Sequence, residues 1–181
     1  PYLYAHHHCG FYHPAKKKLL IFGGYGNRSY SDMFLSYDIG LNRWDTIHFS
    51  GDRILPRFFA GMAVSPDYKR IYVYGGKGNE SGDQNIGLEY FYDLYQIDME
   101  KHTIRKLWNH PPPKMNRIVA RNMILSKDEK SIYFLGYPEY IPHSYLQLYR
   151  MEIANGIYEA LGDSIPMISE EIATNANLYY D

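Results

Sequence analysis

The stretch Leu19-Leu20-Ile21-Phe22-Gly23-Gly24 returns as Ile71-Tyr72-Val73-Tyr74-Gly75-Gly76, and a worn copy follows at Ile132-Tyr133-Phe134-Leu135-Gly136-Tyr137. An apolar run that ends in a glycine pair and recurs after about 50 residues marks a repeat architecture. Superposing the two glycine pairs aligns residues 5–24 with 57–76 without a gap. Each aligned stretch reads as strand, turn, strand. Cys9-Gly10-Phe11-Tyr12 precedes the turn His13-Pro14-Ala15-Lys16, and Gly61-Met62-Ala63-Val64 precedes Ser65-Pro66-Asp67-Tyr68. Proline with polar neighbours between two β-rich runs signals a hairpin. A polar loop follows each glycine pair. Third strands are expected at residues 33–38 and 93–98, and fourth strands at 43–47 and 103–107.

The chain is therefore expected to be all-β, built of four-stranded antiparallel meanders. The first unit spans about residues 5–48 and the second about 57–108. A third, at about 117–162, has strands expected at 117–125, 131–135, 146–153 and 157–161; its Gly136-Tyr137 calls for a turn built differently. Residues 172–180 read as the first strand of a fourth unit.

Composition agrees with this reading. Twenty tyrosines favour pleated, half-buried strands and the rims of binding sites, since one ring carries apolar area and a polar tip. A net charge of −1 lacks the broad positive field that nucleic acid or an anionic membrane demands. Cys9, the single cysteine, excludes an internal disulfide and a cysteine-rich zinc site. No apolar stretch approaches the roughly 18 residues of a membrane span, and no signal-peptide pattern heads the sequence. Asn27-Arg28-Ser29 and Asn79-Glu80-Ser81 match the glycosylation sequon but read first as equivalent polar turns.

The pattern resembles the kelch repeat. Unit one supplies Gly23, Gly24, Tyr37, Asp38 and Trp44; unit two supplies Arg57, Gly75, Gly76 and Asp98, with Ile104 where the repeat has tryptophan. The resemblance spans nearly the whole chain and implies a partial β-propeller, with each blade's first strand innermost around a channel. Propellers close with about 4–8 blades. Three units and a strand are too few, so the remaining blades are expected in the same longer chain or in a second copy.

In such a propeller, the loops between second and third strands share one face with the links between blades, and that face is the expected binding surface. It offers Tyr25, Asn27, Arg28 and Tyr30 from unit one. An enlarged loop from Gly78 to Tyr90 adds Asn79, Glu80, Asp83, Gln84, Asn85 and Glu89, and unit three adds Glu139, Tyr140 and His143. Arg57 and Arg117 occupy matching positions where a linking segment enters an inner strand. Either both point inward and grip a carboxylate or sugar acid, or each pairs with a local carbonyl or acidic neighbour.

Of His6-His7-His8, only His6 and His8 share a face of a strand. Two imidazoles need a third or fourth ligand that the sequence does not identify, so they are weak metal candidates and no cofactor is assigned. The expected function is non-enzymatic recognition of a protein segment or a carbohydrate within a larger sensor, receptor or scaffold, with an extracytoplasmic setting slightly favoured. The alternative is a carbohydrate-active enzyme similar to galactose oxidase or to sialic-acid mutarotases. No nucleophile with base and orienting group, and no close carboxylate pair, can be placed from sequence.

Overall fold

A computed structural model describes residues 5–141, 143–167 and 176–179. The described residues form strands and turns, with no helix among them. Unit one contains β1 (Cys9–His13), β2 (Lys18–Phe22), β3 (Tyr25–Gly26), β4 (Ser29–Tyr30), β5 (Phe34–Asp38) and β6 (Arg43–Ile47). The linking segment holds β7 (Ser50–Gly51). Unit two contains β8 (Arg57–Phe58), β9 (Gly61–Val64), β10 (Arg70–Tyr74), β11 (Lys77–Gly78), β12 (Glu89–Tyr90), β13 (Asp93–Asp98) and β14 (Thr103–Asn109). Unit three contains β15 (Ile118–Leu125), β16 (Ser131–Tyr137), β17 (Tyr145–Glu152) and β18 (Tyr158–Pro166).

Each unit is an antiparallel meander, ordered β1-β2-β5-β6, β9-β10-β13-β14 and β15-β16-β17-β18. The first strands of units two and three touch in parallel through the pair Met62 and Asn122. The link after unit one returns to the outer edge of unit two, where Ser50 and Gly51 pair in parallel with Thr103 and Ile104.

Alternation explains why the sheets stack. In β10, Ile71 and Val73 enter a core shared with Leu20, Phe22 and Phe34 of unit one. Tyr72 and Tyr74 point the other way, into a core shared with Ile132, Phe134 and Met151 of unit three. Successive strand side chains face opposite sides, so a run apolar at every position must be covered twice. Unit three repeats the device, with Leu135 and Tyr137 entering a third cluster that also receives Ala176 and Leu178.

Local chemistry repeats as well. At the first hairpin of unit two, the Ser65 hydroxyl donates to Asp67 while Asp67 accepts from the Lys69 N–H and Ser65 Oγ from the Arg70 N–H. Ser126, Asp128, Lys130 and Ser131 reproduce the arrangement in unit three. The aspartates ending the third strands also cap turns: Asp38 accepts from the Leu41 N–H, and Asp98 from those of Glu100 and Lys101.

The glycine pair is a bend. Gly23 and Gly24 have φ of 72° and 99°, a region that side chains rarely adopt. A Cβ on Gly23 would sit 2.6 Å from the Arg57 carbonyl oxygen, so the bend also admits the entry to unit two. In unit three β16 runs unbroken through Gly136 and Tyr137, and the irregularity moves to β15, whose register with β16 shifts between Val119 and Met123. The expected strand at 172–180 falls mostly outside the described residues. Within 176–179 no strand forms, but the Asn122 side chain both donates to the Leu178 carbonyl and accepts from its N–H.

Arg57 is fully buried, and here the inward-gripping role expected of it is corrected. Its guanidinium makes a forked pair with Asp93 at 2.6 and 3.1 Å and donates to the Leu55 and Gly75 carbonyls. It lies 4.2 Å from the Phe91 ring centroid and 5.5 Å from that of Tyr95. No donor face is left for a ligand. Replacing Arg57 with Met leaves Asp93 buried without its counter-charge. The expected cost is about 3–5 kcal/mol, as for other broken buried ion pairs. Urea denaturation checks it; a loss below about 1 kcal/mol would mean that Asp93 readily reaches water.

Candidate functional site

The loops that follow the glycine pairs gather on one side of the three sheets. In unit one, β3 and β4 form a two-residue hairpin whose turn residues Asn27 and Arg28 both have positive φ, the conformation such tight turns require. In unit two, β11 pairs with β12 and with β8, giving a small three-stranded sheet at the entry to β9. The enlarged loop leans back on unit one: the Gln84 side chain donates to the Ser29 carbonyl, and the Tyr30 N–H donates to the Gly82 carbonyl at 2.6 Å.

Asn79 holds that loop from within. It is 5% exposed, donates to the Asp83, Ile86 and Gly87 carbonyls, and accepts from the Gly82 N–H and Ser81 hydroxyl. Its expected role at the ligand is therefore corrected to one of loop construction. Glu80 and Glu89 are exposed on the same loop, and Gln84 is spent on the contact with unit one.

Arg117 does not converge with Arg57. Its guanidinium lies 4.4 and 4.5 Å from the ring centroids of Tyr149 and Tyr158, on the unit-three side of the second core, whereas Arg57 sits against Tyr95 in the first. The sheet of unit two stands between those cores, so the two arginines cannot close on one ligand.

An aromatic and charged cluster does unite the units. Phe58 underlies Tyr25, with centroids 4.7 Å apart, and stacks with Tyr30 at 5.4 Å. Lys77, only 3% exposed, pairs with Glu139 at 2.5 and 2.7 Å. Its ammonium lies 5.1–5.8 Å from the rings of Phe58, Phe59, Tyr90 and Tyr140. Glu139 also accepts from the Tyr90 hydroxyl at 2.7 Å. Burial first, and that hydrogen bond second, push the Tyr90 phenol well above its ordinary range, so it stays protonated and donating. Tyr140 is 66% exposed at the rim, and His143 is exposed nearby in sequence.

Beside this cluster lies a cavity of about 290 Å³ lined by His6, His7, His8, Phe59, Ala60 and Arg121, with Ala5 at its edge. The His7 ring stacks on Tyr25 at an interplanar angle of 9° and tilts against Phe59, 4.4 Å away. Among the described residues, no three His, Cys, Asp or Glu side chains gather to hold a metal ion. Cys9 is buried, and its surroundings push the thiol up to about 12, chiefly by desolvation. It is inert packing rather than a nucleophile.

Lys77, Phe58, Phe59 and Arg121 were not singled out from sequence. The repeat offset carries the signal for three of them: residues 6, 7 and 25 of unit one correspond to 58, 59 and 77 of unit two. No protein-family model matches this chain, and no curated protein matches it. No described helix is long and apolar enough to cross a membrane.

His7 offers a pH test. Desolvation first, then the Arg121 charge, hold its pKa below the ordinary 6.5. Because the fold prefers the neutral ring, the stability it contributes is complete above about 6.5 and is lost as pH falls towards the depressed midpoint. A ring-proton NMR titration is expected to show a midpoint below 6.5, moving upward in Arg121→Gln. An unchanged midpoint in that variant would separate the two groups electrostatically.

Proposed function

We propose that this chain is part of a kelch-type β-propeller and acts as a non-enzymatic recognition module for carbohydrate, bound on the face that carries the β2–β5 and β10–β13 loops. The scaffold reading draws on the three stacked meanders and on the parallel contact between first strands at Met62 and Asn122. The functional reading rests on one observation: three successive units contribute aromatic rings around a single buried pair, Lys77 with Glu139.

That arrangement favours binding over turnover. The one buried carboxylate in the cluster is matched by an ammonium and a phenol, so it has no basic lone pair poised for a substrate. The rings suit sugars, whose C–H faces lie flat on tyrosine while polar neighbours receive the hydroxyl groups. Tyr25, Tyr30 and Tyr140 supply the platforms, with Asn27, Arg28, Glu80 and Glu89 at the periphery. The adjoining cavity, at about 290 Å³, has the size of one sugar residue rather than of a broad protein contact.

A labelled sample of the chain on a glycan array, alongside a peptide library, tests this reading. Selective glycan binding is expected, weakened about tenfold or more in the Tyr25→Ala, Tyr140→Ala double variant, since truncating anchoring aromatics costs on the order of 1–2 kcal/mol. Binding confined to peptides would assign the face to a protein segment. Chemical conversion of a bound glycan would overturn the non-enzymatic assignment.

A further inference from the structure

We infer that the cavity at the start of the inner strands takes a small organic carboxylate, with Arg121 as its charged anchor. This deepens the proposed recognition role of the same face and rests on it.

The backbone supplies the first line of support. His7, Phe59 and Arg121 have φ of 54°, 54° and 40°, all in the left-handed region that disfavours side chains. One comes from each unit, and all three line the same cavity. His7 and Phe59 hold equivalent positions in their repeats, and the Phe59 N–H donates to the His7 carbonyl across the unit boundary at 3.2 Å. Arg121 reaches the cavity by another route, at the irregularity that shifts the β15–β16 register between Val119 and Met123. Bulges re-aim side chains, and strained residues gathered at one cavity point to a use for it.

Charge supplies the second. Arg121 and three histidines line the wall, which contains no aspartate or glutamate. Lys77 also acts on His7, together with Arg121, His6 and His8, and its own charge is matched by Glu139. An approaching ligand therefore meets a positive wall beside aromatic surface. A guanidinium presents paired donors that fit a carboxylate, while Phe59 and the stacked His7 and Tyr25 rings flank the body that carries it. One arginine beside aromatic rings suits a carboxylate on an organic frame better than inorganic phosphate, which is held by many donors and carries nothing to lie on the rings.

Glucuronate, glucose and inorganic phosphate are the probes, titrated calorimetrically into the chain. Glucuronate is expected to bind at least tenfold more tightly than glucose or phosphate, and Arg121→Gln to remove that preference. Arg121→Gly guards against a purely structural role: glycine relieves the left-handed strain, so its melting temperature is expected to hold or rise while the preference is lost. Glucose binding equal to that of glucuronate would leave the carbohydrate reading standing and overturn the carboxylate assignment. Phosphate binding as tight as glucuronate would make the cavity a general anion site and overturn it too. Binding of none of the three would overturn it as well, with the glycan array deciding the broader reading separately. An Arg121→Gly protein that melts earlier yet keeps the preference would place Arg121 in the structure and not at the ligand.

Discussion

The fold depends on a strand that has no solvent side. Ile71, Tyr72, Val73 and Tyr74 are each no more than 5% exposed, although they alternate across the sheet. A strand of this kind is stable only when both faces are covered, so unit two must have a sheet stacked on either side. Dispersion and hydrophobic burial drive the stacking, and the side chains divide the labour: aliphatic residues face unit one and tyrosines face unit three. The loops then have little choice. Three meanders stacked with their first strands adjacent deliver equivalent loops to one side, and a composite surface follows.

Position on that surface is fixed by Arg57. Its donors join Asp93 at the start of β13, the Gly75 carbonyl at the bend after β10, and the Leu55 carbonyl just before β8. Three chain segments are thereby tied to one rigid planar group. Phe58, the next residue, is the ring on which Tyr25 and Tyr30 rest. The buried ion pair thus acts on the surface at one residue's remove, setting the height at which the aromatic floor meets the loops of unit one.

Much of this was legible in the sequence. The glycine pairs gave the register, and register predicted the meanders, the strand limits to within a few residues, and the side on which the loops emerge. The same offset relates Tyr25 to Lys77 and His7 to Phe59, so half of the cluster lay within reach of the superposition. Three things did not. The partner of Arg57 lies 36 residues away in a strand of the same unit, and nothing local distinguishes Asp93 from any other acidic strand start. Asn79 looks like an exposed loop amide until the loop closes over it. Arg121 is hidden by the β15 irregularity, which breaks the constant offset on which superposition relies. Periodicity reports regular structure well and is silent where a strand departs from it.

The two cations near the cavity illustrate how neighbours decide a role. Lys77 is almost wholly enclosed, and an ammonium in that position is tolerable only because Glu139 meets it and four aromatic faces surround it. Its charge is thus committed to structure, where it holds the Glu139–Tyr140 turn against units one and two. Arg121 stands at an exposed position on the cavity wall, in a conformation that a plain structural residue would avoid. A positive group kept in solvent at conformational cost, beside aromatic surface and without an acid in the wall, is the pattern of a recognition residue. The lysine builds the rim, and the arginine faces what the rim admits.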